Sequence, residues 1–286
     1  MAEAVRRAAT AIRVFHPDVV VGLGGYGSAP TLLAAFAHGV SVALLEQNVI
    51  PGKANRMAAR LAKRIYSQWE EARPHFDAGS RFRATGSPLR ESLVPMSKSV
   101  ARQLLGLDDR PVVGVVGGSQ GAESMNRLVL DEVARLNGAR SKVQFLHLAG
   151  PAADEVRAAY AKRGVSASVL PFVREMERVY SACDLMISRS GAMAIAELAH
   201  FGVPTVFVPF PHAAEDHQAA NAKALSDAGA AWLVDEMSAA PGAIARVVDM
   251  LVSRKSDLDN RRRLIAKFAR PDAADAILGD LSTWRV

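Results

Sequence analysis

The sequence predicts an α/β protein built from βαβ units, and three observations carry that reading. From Asp184 to Asn221, an apolar strand, Leu185 to Ser188, runs into the small-residue turn Ser190-Gly191-Ala192. A helix bearing the acid Glu197 follows, then a second strand, Thr205 to Val208, ending in a polar loop with His212, Glu215, Asp216, His217 and Gln218. From Pro111 another apolar strand enters Gly117-Gly118-Ser119-Gln120-Gly121 and then a helix reaching about Asn137. Finally, 286 residues, 50% of them hydrophobic, suffice for two domains with their own cores. Both polar motifs fall at the carboxyl ends of strands, where open α/β sheets bind ligands.

Taken in order, an amphipathic helix covers about Ala2 to Phe15. A strand follows at Val19 to Leu23, then a glycine loop, a helix over about Pro30 to His38 and a strand at Val42 to Leu45. A basic helix is expected from about Lys53 to Ala62. The short apolar segments Ile65–Tyr66 and Phe82–Ala84 read as edge strands. A boundary near Val94 to Lys98 separates a domain of residues 1–96 from one of residues 97–270. Strands are expected near Val112–Val116, Val143–His147, Ser168–Leu170, Leu185–Ser188 and Thr205–Val208. Arg270-Pro271-Asp272 breaks the chain before a last helix, 271–286, expected to pack back on the first domain.

The net charge of +6 is uneven: residues 1–97 hold 12 Lys+Arg against 7 Asp+Glu. That excess points to an anionic surface as partner of the first half. Nucleic acid is disfavoured, because aromatics make up 6% of the chain and no recognition motif appears. The single cysteine, Cys183, excludes an internal disulfide. The first residues read as a charged, Ala-rich helix rather than a signal peptide. No apolar run approaches transmembrane length, so membrane contact is expected to be peripheral.

The two motifs suit a sugar nucleotide. Glycines between a strand and a helix let backbone N–H groups approach an anion, and a helix N-terminus favours phosphate. The Ser119 hydroxyl adds a donor. No Lys-Ser/Thr follows the last glycine, so this is no Walker loop. Glu197 lies about one and a half turns into its helix, where a carboxylate can accept from two ribose hydroxyls. Gln218 both donates and accepts, as sugar hydroxyls require. The plainer alternative is an ordinary βαβ pair with a solvated Glu and a polar loop. Gly22-Leu-Gly24-Gly-Tyr-Gly27 imitates a dinucleotide fingerprint, with Glu46 ending the next strand, but the plainer reading is a tight turn. His212 and His217 are five apart, which does not suit two metal ligands on one helix face, and no G-x-S-x-G elbow is present.

A set of motifs occurs in this order: Gly24-Gly25-Tyr26, Glu46-Gln47-Asn48, Gly86-Ser87-Pro88-Leu89-Arg90, Gly117-Gly118-Ser119-Gln120-Gly121-Ala122, Ser188-Arg189-Ser190-Gly191-Ala192 and the loop His212 to Asn221. Together they resemble the MurG family, bacterial glycosyltransferases that add N-acetylglucosamine to lipid I, over about Pro17 to Val234. The resemblance implies the GT-B fold, two Rossmann-like doubly wound domains facing across a cleft, the first incomplete here. It implies that the second domain holds UDP-N-acetylglucosamine. The Val173 backbone would meet the uracil edge, with Met176 nearby and Glu197 on the ribose. Ser119 and the helix start at Ala192, Met193 and Ala194 would hold the diphosphate, with Arg90 reaching it from the first domain as a catalytic group. Gln218 and His217 would read the sugar hydroxyls, and Asn48 joins the donor side. Gly25, Tyr26 and Glu46 fall on the acceptor side, with Glu46 as the candidate base. No metal and no cofactor is implied. The acceptor would be lipid I, an undecaprenyl-linked muramyl pentapeptide, met at the anionic cytoplasmic face of the bacterial plasma membrane.

Departures from the family pattern shape two further expectations. The family's opening Gly-Gly-Thr-Gly-Gly-His loop is absent, which predicts a shortened start, an open edge at the Val19 strand unless the first helix folds over it, and weak acceptor turnover. The family's His-Glu-Gln-Asn reads Leu45-Glu46-Gln47-Asn48, and its Gly-Asn-Pro-Val-Arg reads Gly86-Ser87-Pro88-Leu89-Arg90. The alternatives are a UDP-sugar epimerase of the same fold and an inactive UDP-sugar-binding module. Lys53, Arg56, Arg60 and Lys63 are expected on one helical face for the membrane. Met57 and Leu61 would turn to the core, and Phe36 would be exposed.

Overall fold

The computed structural model describes residues 2–77, 79–118 and 123–284. The chain divides into two compact units: residues 1–89, 214–220 and 270–286 form the first, and residues 90–213 and 221–269 the second.

The first unit contains α1 (Ala2–Phe15), β1 (Val19–Gly22), α2 (Ala29–Ala37), β2 (Ser41–Glu46), α3 (Lys53–Ala58), β3 (Arg64–Ser67) and β4 (Phe82–Ala84). The strands form one parallel sheet in the order β1-β2-β3-β4. Val42 to Glu46 are all buried, as expected of a parallel strand covered on both faces. The Ile65–Tyr66 segment is not an edge: β3 lies between β2 and β4, with both residues fully buried. α1 packs along α2 through buried Ile12 and leaves Val21 on β1 exposed.

The last helix of this unit, Ala273–Ser282, is bound to β3 by charge. Arg64 donates to both oxygens of Asp280 at 2.7 and 3.1 Å, and the Tyr66 hydroxyl donates to the same carboxylate at 2.6 Å. Ile277 packs with Ala43, Leu45 and Tyr66. Gly86 must be glycine where the chain passes this helix. Its φ is +88°, and a Cβ would stand 2.3 Å from that of Arg270.

The basic helix is shorter than its pattern suggested. It ends at Ala58, and Arg81 takes the carbonyls of Ala59 and Ala62 at 3.2 and 2.8 Å. A side chain twenty residues downstream thus satisfies the carbonyls that a continuing helix would have used. Lys63 consequently lies beyond the helix, 4.7 Å over the Trp284 ring. Met57 is 77% exposed rather than turned to the core.

The second unit contains α4 (Lys98–Leu104), β5 (Val112–Val116), α5 (Glu123–Val133), β6 (Gln144–Leu148), α6 (Ala153–Lys162), β7 (Ala167–Leu170), α7 (Met176–Ala182) and β8 (Leu185–Ser188). It continues with α8 (Ala192–Phe201), β9 (Thr205–Phe207), α9 (His217–Asp227, from Asn221 onward in this unit), β10 (Trp232–Leu233), α10 (Ala243–Ser253) and α11 (Lys255–Ala266). Its six parallel strands run β10-β9-β8-β5-β6-β7. The core is a Val- and Ile-rich layer that includes Val113, Val115, Phe145, Leu185, Ile187 and Val206. α5 stops at Val133, short of Asn137, because Leu136 and Ala139 drop into that core before β6. β10 has two residues, too few for a periodic signal.

Candidate functional site

In the second unit the strand order reverses between β5 and β8. β5 leads on to β6 and β7, whereas β8 leads to β9 and β10, so the crevice between their ends is a topological switch point. The register places Val116 beside Ser188 and Ser188 beside Phe207, so three strands end at one level. Gly117-Gly118 and Arg189-Ser190-Gly191 therefore leave the sheet side by side. Residues 119–122, Ser119 among them, lie outside the described residues.

α8 opens directly from this point. Gly191 precedes it in an extended conformation, and among the described residues no side chain caps it. The N–H groups of Ala192, Met193 and Ala194 belong to the first turn, which has no intrahelical acceptors for them. Two of these residues are alanines, so little bulk shields the donors. Together with the helix dipole they form an anion-binding end.

Glu197 lies further along α8, half-buried, and accepts a hydrogen bond from the Tyr180 hydroxyl at 2.7 Å. Burial, followed by the Glu197 carboxylate, holds the Tyr180 phenol well above its ordinary pKa, so it stays a donor. Met176 and Tyr180 are four apart on α7 and share a face, with half-buried Val173 three residues before the helix. Arg90 belongs to the second unit, not the first, and its charge acts on Tyr180. Val173, Met176, Ala192, Met193, Ala194, Glu197 and Arg90 thus all belong to this unit.

Arg189 and Tyr180 hold groups of this region in place, and neither had an assigned role in the sequence. Arg189 is buried, pairs with Glu236, and donates to the carbonyls of Val208 and Pro209 at 3.1 and 2.9 Å and to Ser124 Oγ at 3.1 Å. It ties the ends of β8 and β9 together under the turn. Buried Asn221 donates to the Ser190 carbonyl at 3.3 Å. The only local signal for Arg189 was a cation directly after a buried strand.

The remaining candidates lie in the first unit. Glu46 is 3% exposed and accepts from the Asn48 N–H at 2.9 Å, Asn48 Nδ2 at 3.2 Å, the Gly52 N–H at 3.3 Å and Asn55 Nδ2 at 2.8 Å. Both oxygens are occupied by the loop that follows β2. This geometry makes Glu46 the anchor of that loop. The dinucleotide imitation resolves the same way: Gly24 and Gly25 have φ of 85° and 76°, and the Gly25 carbonyl closes a turn onto Ser28. Gly25, Tyr26, Asn48, Lys53, Glu215 and His217 line a cavity of about 430 Å³. Gln218 is half-buried beside His217 at the start of α9. Among the described residues no group of three His, Cys, Asp or Glu side chains gathers as a metal site.

Comparison with known proteins gives one consistent picture. Residues 112–277 match the glycosyltransferase family 28 C-terminal domain, and residues 1–67 match the N-terminal domain of that family. A curated relative from Symbiobacterium thermophilum is 36% identical over 268 residues, which are 93% of this chain and 71% of the relative. It is named UDP-N-acetylglucosamine–N-acetylmuramyl-(pentapeptide) pyrophosphoryl-undecaprenol N-acetylglucosamine transferase. A Pseudomonas fluorescens relative of the same name is 36% identical over 278 residues, 96% of this chain and 76% of the relative. Among solved structures, Acinetobacter baumannii MurG superposes with a TM-score of 0.78 at 29% identity, covering 98% of this chain and 78% of that one. The UDP-GlcNAc 2-epimerase of Neisseria meningitidis superposes at 0.72 with 15% identity, covering 99% of this chain and 80% of that one, which shows a shared fold alone.

Proposed function

This chain belongs to glycosyltransferase family 28, in its MurG group, with the Rossmann-like units of the GT-B fold, and on that premise we propose the reaction and the residues that carry it. The chain transfers N-acetylglucosamine from UDP-N-acetylglucosamine to the muramyl 4-hydroxyl of lipid I. The acceptor oxygen forms a bond to the anomeric carbon as the bond from that carbon to the diphosphate breaks. Configuration inverts, UDP leaves, and the hydroxyl proton passes to a base.

One observation carries the donor half of this reading: Gly117-Gly118, the Ser190-Gly191 turn and the start of α8 meet at the switch point, with Glu197 deeper on the same helix. The leaving diphosphate gains charge, and preoriented N–H donors at Ala192, Met193 and Ala194 stabilise it where it forms. Arg90 adds positive charge on that side. Glu197 accepts from the ribose hydroxyls, the Val173 backbone meets the uracil edge, and Met176 packs beside it. His217 and Gln218 read the sugar, with Asn48 nearby. Gly25 and Tyr26 border the acceptor.

The acceptor is lipid-linked, so the first unit carries a peripheral surface for the anionic cytoplasmic leaflet. No helix among the described residues is long and apolar enough to cross a membrane. Exposed Leu33, Phe36 and Met57 on the touching helices α2 and α3 supply apolar contact.

Calorimetry with UDP and UDP-N-acetylglucosamine tests the site. Both ligands should bind, and Gln218→Ala should weaken UDP-N-acetylglucosamine more than UDP. A chain that binds neither ligand would end the reading.

A further inference from the structure

Glu215 and Asp216 both hold left-handed backbone, with φ of 53° and 52°. A residue with a Cβ resists that conformation, so two in succession require contacts that hold them. The Glu215 carboxylate supplies such contacts. It lies 2.9 Å from Arg56 Nη2 and 3.6 Å from Lys53 Nζ, both on α3. Its side chain is 26% exposed, against 39% for Arg56 and 64% for Lys53. Two residues later His217 opens α9, and Lys53, Glu215 and His217 border the same cavity as Gly25, Tyr26 and Asn48.

We propose that Glu215 is a positioning residue. Its ion pairs with Arg56 and Lys53 clamp the left-handed turn, so that His217 and Gln218 are presented where the donor sugar is read. Glu215 itself touches no reacting atom. The proposal rests on the donor reading above for the roles of His217 and Gln218. It also gives Lys53 and Arg56 a task within the protein.

The test combines two measurements on the full chain. Hydrogen–deuterium exchange of residues 214–220 without ligand reports the clamp alone. Calorimetric affinities for UDP and UDP-N-acetylglucosamine report its effect on sugar reading. Glu215→Gln and Arg56→Gln should each speed exchange in this segment and lower the preference for UDP-N-acetylglucosamine over UDP, by about threefold to fivefold. The double variant should be no worse than the stronger single one, because both remove the same contact. The swap of Glu215→Arg with Arg56→Glu should recover part of both losses. Unchanged exchange in Glu215→Gln overturns the clamp. Equal weakening of UDP and UDP-N-acetylglucosamine, or a swap no better than the single variants, overturns the positioning role. If the wild-type chain binds neither ligand, the donor reading fails separately, and the exchange data still decide whether Glu215 holds the segment.

Discussion

The Tyr180 hydroxyl points at the Glu197 carboxylate from 2.7 Å, joining the helix before β8 to the helix after it. One Glu197 oxygen is thereby fixed, and the carboxylate cannot rotate freely. A hydrogen bond to a charged acceptor is worth about 1.5–3 kcal/mol. Glu197→Ala should therefore cost about that much UDP affinity. Tyr180→Phe should cost about 1 kcal/mol, because it only frees the carboxylate to move. The two losses should not add, since Tyr180 acts through Glu197. Titration of UDP into the three variants checks this, and full additivity would separate the two residues.

Glu46 should behave as a structural carboxylate. It receives four donors from Asn48, Gly52 and Asn55. An amide in its place brings its own N–H₂ against these donors and leaves part of them unpaired. Glu46→Gln should lower stability by about 2–3 kcal/mol. Thermal melting read beside turnover distinguishes the roles. A collapsed kcat with an unchanged melting temperature would restore Glu46 as the proton acceptor.

Glu46 also shows where sequence reading stops. Its position at the end of a buried strand was legible, as were five of the six strands of the second unit and the helices that follow Gly121 and Gly191, within a few residues. The switch-point loops could be found because glycine and small residues between a strand and a helix have a local cause. The use of Glu46 could not be read, since its donors come from a loop whose path depends on α3. The length of α3 depends in turn on Arg81, and the interior place of β3 on β4 beyond it. Tyr180 meets Glu197 across 17 residues and Arg189 meets Glu236 across 47. Such pairings follow from topology and leave no local pattern.

His147 should make the second unit sensitive to acid. Asn126 Nδ2 donates to the Ala149 carbonyl, so Asn126 Oδ1, 3.0 Å from His147 Nε2, is the acceptor of that pair. Nε2 therefore carries the hydrogen, and Nδ1 accepts from the Tyr160 hydroxyl at 3.1 Å. Burial lowers the imidazole pKa to about 4. In the unfolded chain it titrates near 6.5, roughly its unperturbed value. Between those values the unfolded state binds more protons, so stability rises with pH across the window. The contribution is complete above about pH 6.5 and is lost as pH falls toward 4, by about 3 kcal/mol in all. Urea midpoints at pH 4.5 and 7 should differ more in the wild type than in His147→Gln. Equal differences would place this acid sensitivity elsewhere.

The peripheral surface should depend on Arg60 and Phe36 rather than on the whole basic run. Lys53 and Arg56 face Glu215, and Lys63 stands over Trp284. Arg60 has no hydrogen-bond or ion-pair partner among the described residues. Three residues before it Met57 is 77% exposed, while on the touching helix α2 Leu33 and Phe36 are 44% and 57% exposed and Leu32 is buried. A cation next to exposed apolar side chains suits a leaflet of anionic lipid, where each Lys or Arg is worth about 1 kcal/mol. Arg60→Glu removes one favourable charge and adds one repelled charge, a loss of about 2 kcal/mol, or roughly thirtyfold in partitioning. Phe36→Ser should remove a further 1–2 kcal/mol or so of apolar transfer. Arg56→Glu should instead act mainly on the donor side through Glu215. Sedimentation with vesicles containing phosphatidylglycerol, compared with phosphatidylcholine alone, measures this directly. Binding that ignores lipid charge, or that survives Arg60→Glu together with Phe36→Ser, would move the membrane surface off α2 and α3.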